Sequence, residues 1–227
     1  MKRDIKMEKL LFVTGNKTYS PWSMSPWLAL RHAGAVFEEV VVPLFVPGYK
    51  QKLLEYSAAG KVPALRAGDQ AIWDSLAICE YLAERFPKAE LWPRDLAARA
   101  EARSVSAEVH SGFTVVRHTF PFNCRATGRH VPRTAELDGE IARVHAMWDS
   151  CRSRYEKDGP WLFGRFTIAD CMCIPLALRF PTYGVALAGS AADYLSTAQQ
   201  HPAVREWIAT AKREKEVIEE DEAGRDP

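Results

Sequence analysis

Three stretches of the 227-residue chain place reactive residue types where the backbone can support chemistry. In the first, Thr18-Tyr19-Ser20-Pro21-Trp22-Ser23-Met24-Ser25-Pro26-Trp27, hydroxyls cluster between an apolar run, Leu10-Leu11-Phe12-Val13, and a helical pattern stopped at Gly34. A helix start carries unpaired N–H groups and the positive end of the helix dipole. An anion, or a thiol being turned into one, is stabilised there. The competing reading is structural, with Ser20 or Ser23 as an N-cap and Pro21 or Pro26 in the first turn. The second stretch is Val62-Pro63, just ahead of a strand pattern. Proline there removes a ladder hydrogen bond unless it sits at the strand start or in a cis turn, and a cis turn leaves the N–H and C=O of Val62 free for an extended peptide. The third is Asp74-Ser75, at the start of a strongly helical segment. Ser75 and the first amides suit a carboxylate, and Asp74 suits an ammonium. Together the three describe a site for a small zwitterionic peptide.

Such a site needs elements that bring distant turns together. Leu10 to Thr14 reads as a buried strand, followed by a helix from about Ser23 to His32. Phe37 to Pro43 is a second strand rich in β-branched residues, and Tyr49 to Tyr56 a short helix. Val62 to Arg66 and Gln70 to Trp73 flank Ala67-Gly68-Asp69 as a hairpin. A helix follows from Asp74 to Phe86, with Leu76, Cys79, Leu82 and Phe86 on one face. The order βαβαββα predicts a right-handed βαβ unit with a hairpin added. Prolines at 87 and 93 bracket a linker. Beyond it the pattern is helical: Asp95 to Thr119, Arg133 to Tyr155, Thr167 to about Arg179 opened by the capping-box pattern Thr167-x-x-Asp170, and His201 to about Glu216. The charged tail, Glu219 to Pro227, is expected to fray. The expected organisation is an α/β domain over residues 8–88 and an all-α domain over 95–218.

Composition bounds the function. Lys+Arg 30 against Asp+Glu 29 leaves a net charge of +1, with no general basic field to attract nucleic acid. Nothing approaches the run of about 18 apolar residues that a membrane-spanning helix needs. Met1 to Met7 reads as a disordered lead-in, with Met7 as an alternative start. The cysteines, Cys79, Cys124, Cys151, Cys171 and Cys173, are odd in number and scattered, which points to the reducing cytoplasm. The histidines show no metal-ligand spacing, so no metal is expected.

The order of these motifs resembles the cytosolic glutathione S-transferase family over nearly the whole chain. The carrying residues are the serine after strand one (Ser20), Val62-Pro63 within Gly60-Lys61-Val62-Pro63-Ala64-Leu65, Asp74-Ser75-Leu76-Ala77-Ile78-Cys79-Glu80-Tyr81-Leu82, and Thr167 to Asp170. The resemblance implies a thioredoxin-like first domain, an all-helical second domain, a homodimer, and glutathione as co-substrate, conjugated as its thiolate to a small electrophile. Residue by residue it implies Ser20 as the donor to the sulfur, with Ser23 as the alternative. Tyr19 is less favoured, because the catalytic tyrosine of other members normally sits in strand one. Val62 pairs with the cysteinyl unit ahead of Pro63, Asp74 and Ser75 hold the γ-glutamyl end, and Lys61 reaches the glycyl carboxylate or is simply a solvated charge. Trp22, Phe113, Phe120 and Phe122 wall an electrophile pocket in which Arg117 meets an acidic group; the alternative is that the aromatics are core and Arg117 sits in an ion pair. The serine-type zeta, theta and beta-like members are nearest, yet the zeta cysteine position holds Trp22. Other outcomes consistent with the resemblance are a zeta-like isomerase, a glutathione-dependent peroxide reductase, or a non-catalytic binding module on the same fold.

Overall fold

The alternation of apolar residues in the first strand decides how the sheet is covered. In the computed structural model, which describes residues 9–225, β1 (Leu10–Thr14) sends Leu10 and Phe12 to one face and Leu11 and Val13 to the other. The first face packs on α1 (Pro21–His32) and α3 (Ser75–Arg85), and its core runs on without a break into the helical domain. The second face forms a smaller cluster of Val13, Val42, Leu53 and Ala64, with Leu53 supplied by α2 (Tyr49–Leu54). The lead-in expected at Met1 to Met7 lies outside the described residues.

The sheet has four strands in the order β2-β1-β3-β4. β2 (Phe37–Val41) runs parallel to β1, while β3 (Ala64–Ala67) is antiparallel to β1 and pairs with β4 (Gln70–Trp73) as the expected hairpin. This is the thioredoxin-like arrangement. It brings the ends of β1 and β4 and the Val62-Pro63 turn to one edge.

The second domain contains α4 (Leu96–Ser111), α5 (Thr114–Thr119), α6 (Ala135–Tyr155), α7 (Ile168–Ala177), α8 (Arg179–Thr182), α9 (Gly189–Gln200) and α10 (Pro202–Ala211). Three expectations need correction. The single helix from Asp95 to Thr119 is two helices, because Gly112 is extended and Phe113 is left-handed at φ 52 between them. α9 is a helix that the sequence pattern does not announce, since its polar and small residues disguise the buried face made by Ala191, Tyr194 and Ala198. The tail does not fray through its described part: Ile218 is buried, and Glu222 bonds to Tyr19, Asn123 and Arg129. Two smaller shifts accompany these. α1 begins at Pro21, and the last long helix ends at Ala211.

The Thr167 capping box forms around a fully buried carboxylate. Asp170 Oδ2 accepts from Thr167 N at 2.8 Å and Thr167 Oγ1 at 3.1 Å, and Oδ1 accepts from Leu162 N at 3.1 Å. Burial pushes the Asp170 carboxyl up to about 7 against these bonds. Asp170→Ala strips the cap and leaves two buried amides unpaired, so urea unfolding should show a loss of about 2–4 kcal/mol.

Candidate active site

The turn between β4 and α3 is the most constrained part of the edge. Asp74 adopts φ 75, a region that non-glycine residues rarely occupy. Its carboxylate does two jobs from there. Oδ1 accepts from the amides of Leu76 and Ala77 at 3.0 and 3.2 Å, capping α3. Oδ2 stands 3.0 Å from His110 Nε2, reaching across to α4 of the second domain. The next residue, Ser75, is buried, and its Oγ finds no hydrogen-bond partner among the described residues.

A cavity of about 550 Å³ opens beside this turn, lined by Trp22, Lys61, Val62, Pro63, Asp74, Ser75 and His110, together with Ala59 and Trp73. Val62-Pro63 is a cis peptide, and β3 begins only at Ala64, so Val62 stays outside the sheet ladder. Lys61 is exposed at the cavity. One wall thus offers a cation, the backbone of Val62 outside the sheet ladder, a carboxylate and, at a helix start, a hydroxyl without a partner among the described residues.

Ser20 occupies the N-cap position of α1, but its side chain caps no amide. Instead Ser20 Oγ donates to Ser23 Oγ at 2.7 Å. Both serines are buried, and neither lines the cavity wall, which α1 reaches through Trp22. Pro21 at the first helical position has no N–H, which leaves the amides of Trp22 and Ser23 to open the helix. Tyr19 turns its hydroxyl to the tail, donating to Glu222 Oε1 at 2.6 Å, and burial and that carboxylate raise its pKa.

The aromatic residues expected around an electrophile divide. Trp22 lines the cavity, in edge contact with His110 at 5.4 Å. Phe113, Phe120 and Phe122 do not; they are buried in the main core, and Phe120 stacks on Tyr183 at 4.6 Å. Their apolar surface is consumed in joining α5 and the following loop to the helical domain. Arg117 stands over the Trp22 ring at 5.1 Å and donates to the His110 carbonyl at 3.1 Å. Burial lowers its pKa, with Glu140 opposing, and it has no carboxylate within ion-pair distance among the described residues. His110 is not among the expected site residues, although the stretch Glu108 to Phe113 that holds it resembles the part of family helix four that faces the cleft; the packing of α4 against the α3 turn brings it to Asp74. Among the described residues no group of three His, Cys, Asp or Glu side chains is placed to hold a metal ion, and no helix is long and apolar enough to cross a membrane.

The family model for the glutathione S-transferase N-terminal domain matches residues 19–85, and that for the C-terminal domain matches 134–210. A probable maleylacetoacetate isomerase from Caenorhabditis elegans is 41% identical over 98 residues, covering 41% of this chain and 46% of the relative. A stringent starvation protein A homologue from Pasteurella multocida is 27% identical over 169 residues, 72% of each chain. A glutathione transferase homologue from Burkholderia, solved with bound glutathione, superposes with a TM-score of 0.68 at 24% identity, over 90% of this chain and 98% of that one. The chain spans about half the length of the first of these relatives.

Asp74→Ala is expected to cost about 1–2 kcal/mol in urea unfolding through loss of the α3 cap. Asp74→Gly should cost less, because glycine takes up φ 75 without steric penalty. Equal losses would contradict a strained turn held by its cap.

Proposed function

The chain belongs to the glutathione S-transferase family, and we propose that it binds glutathione in the cavity beside Asp74 and transfers its thiolate to a small electrophile. The observation that carries the reading is the convergence of Lys61, Val62, Asp74 and Ser75 on one cavity, with the Ser75 hydroxyl buried and without a partner among the described residues. An anion at the α3 start satisfies that hydroxyl and meets the positive end of the helix dipole. The γ-glutamyl carboxylate goes there, and its ammonium goes to Asp74, sharing Oδ2 with His110. The Val62 backbone pairs with the cysteinyl unit, and Lys61 draws the glycyl carboxylate.

Thiolate formation falls to α1. Each serine hydroxyl has one proton to donate. When Ser20 turns its O–H to the sulfur, Ser23 can donate to the Ser20 oxygen in turn, so the pair now bonded at 2.7 Å becomes a short relay. A thiol pKa lowered by two units requires about 2.7 kcal/mol. One hydroxyl bond to a charged acceptor together with a helix start supplies that order of energy. The thiolate then attacks the electrophilic carbon, forming the C–S bond as the leaving group departs with its electron pair. A homodimer in the cytoplasm is the proposed setting, as the resemblance implies.

A second reading has its own support. The isomerase-named relative, 41% identical over 98 residues, and the guanidinium of Arg117 beside Trp22, without a carboxylate partner among the described residues, favour an acidic, unsaturated substrate. In that reaction the thiolate adds to a carbon–carbon double bond, the new single bond rotates, and the thiolate leaves, regenerating glutathione. An activated aryl chloride consumes thiol stoichiometrically, whereas a cis-enone dicarboxylate would isomerise with no net thiol loss. Following free thiol with each substrate separates the two readings.

Calorimetric titration with glutathione at neutral pH should show binding to the wild type. Ser75→Ala should weaken it by about tenfold, the value of one hydrogen bond to a charged group. An unchanged Kd would remove the α3 start from the site. Ser20→Ala should lower kcat by about 10- to 100-fold, with a smaller loss for Ser23→Ala.

A further inference from the structure

Residues 15–19 join β1 to α1 and end next to Ser20, and several of their polar groups are bonded to the far end of the chain, beside bonds to Leu44, Cys124 and Arg125. The amides of Lys17 and Thr18 donate to the two carboxylate oxygens of Glu214 at 2.7 and 2.9 Å. Thr18 Oγ1 donates to the Ala211 carbonyl at 2.9 Å, and Trp207 Nε1 donates to the Lys17 carbonyl at 3.0 Å. The Tyr19 hydroxyl donates to Glu222 Oε1 at 2.6 Å and accepts from Arg125 Nη2 at 2.7 Å.

The segment that supplies these groups is itself held down. Arg125 Nη1 donates to the Glu214 carbonyl at 2.6 Å, and Nη2 to the Glu216 carbonyl at 2.7 Å. Glu222 accepts from Asn123 Nδ2 at 2.9 Å and pairs with Arg129. Lys17 completes the arrangement. Its ammonium is buried between the Trp27 and Trp207 rings, 5.0 and 4.9 Å from their centroids, and 2.5 Å from Glu39 Oε1.

We propose that Glu214 and Glu222 are positioning residues for Ser20: the segment from Lys212 to Glu222 is a strap that sets the direction of the Ser20 hydroxyl through Lys17, Thr18 and Tyr19. This inference rests on the functional reading above, in which Ser20 meets the sulfur. Docking of the two domains does not require the strap. α1 already packs on α7 and α10, and Trp27 contacts Trp207 at 5.3 Å. The carboxylates act at a narrower place. A carboxylate that accepts two consecutive amides fixes the peptide planes on either side of Lys17, the Thr18 carbonyl accepts from Cys124 N at 3.0 Å, and Ser20 lies two residues beyond Thr18 with Pro21 limiting its freedom. The Ser20 oxygen must meet a sulfur held by other residues, so an error in the loop moves the donor without moving the tripeptide.

The test uses full-length protein, saturating glutathione and an activated aryl chloride. Glu214→Gln replaces one acceptor oxygen by an NH₂ group facing an amide, and Tyr19→Phe removes only a hydroxyl. Both should lower kcat about tenfold and move the midpoint of the kcat–pH profile upward by about one unit, with the glutathione KM changed less than about threefold. Glu222→Gln should act in the same direction, and Glu214→Asp should recover part of the loss. A lower melting temperature with kcat and the pH midpoint unchanged would overturn the proposal and leave an anchoring role. A raised KM with kcat intact would also overturn it. Tyr19→Phe decides the matter if Glu214→Gln does not fold. Hydrogen exchange without ligand reads the strap independently: Glu214→Gln should speed exchange at residues 15–20, and unchanged exchange there would overturn the strap. If the wild type shows the protected loop but neither binds nor turns over glutathione, the functional reading fails instead.

Discussion

The site depends on the conformation of Asp74. At φ 75 its backbone leaves β4 and enters α3 in a single step, which lays the start of α3 against the cavity. The cost of that conformation, of order 1–3 kcal/mol, is met by the bonds the same residue makes. One carboxylate oxygen caps the helix and the other holds His110 of the second domain. One side chain therefore ties the sheet edge to the helix start and to the second domain. Ser75 follows in the position where its hydroxyl is buried without a partner among the described residues. A buried polar group left unpaired is costly, so the arrangement favours a ligand that supplies the missing acceptor.

The two domains contribute different things to this edge. The first supplies the turns at Val62 and Asp74 and the hydroxyl pair at the α1 start. The second supplies His110, whose imidazole closes the wall against Trp22, and the carboxylates of the tail, which hold the residues just before Ser20. The continuous core behind them, from Phe12 and Leu28 to Trp148 and Ile174, makes this shared construction rigid. Arg117 stands over the Trp22 ring without a carboxylate partner among the described residues.

Local pattern made much of this legible. β1, β2 and the hairpin follow from short apolar runs, and the βαβαββα order leaves few ways to arrange them. Val62-Pro63 and Asp74-Ser75 stand out because each contradicts the regular element it adjoins. What stayed hidden depends on partners distant in sequence. Glu214 falls in the helix expected through about Glu216 and Glu222 in the tail expected to fray, and neither shows its partners, since Thr18, Tyr19 and Arg125 lie far before them in the chain. Phe113 and Phe120 read equally well as cleft or core, because an aromatic side chain suits either until packing decides. The break at Gly112 was masked by the alanine-rich helix before it, and α9 by its polar composition.

The most direct test of the account is the ultraviolet absorbance of the glutathione thiolate, followed over pH in the complex with the wild type and with Ser20→Ala. The account predicts a bound thiol that ionises well below the ~8.5 of an unperturbed cysteine in the wild type, and close to that value in Ser20→Ala, with glutathione bound in both. A thiolate that forms equally well without the Ser20 hydroxyl, or that forms in neither complex, would contradict it.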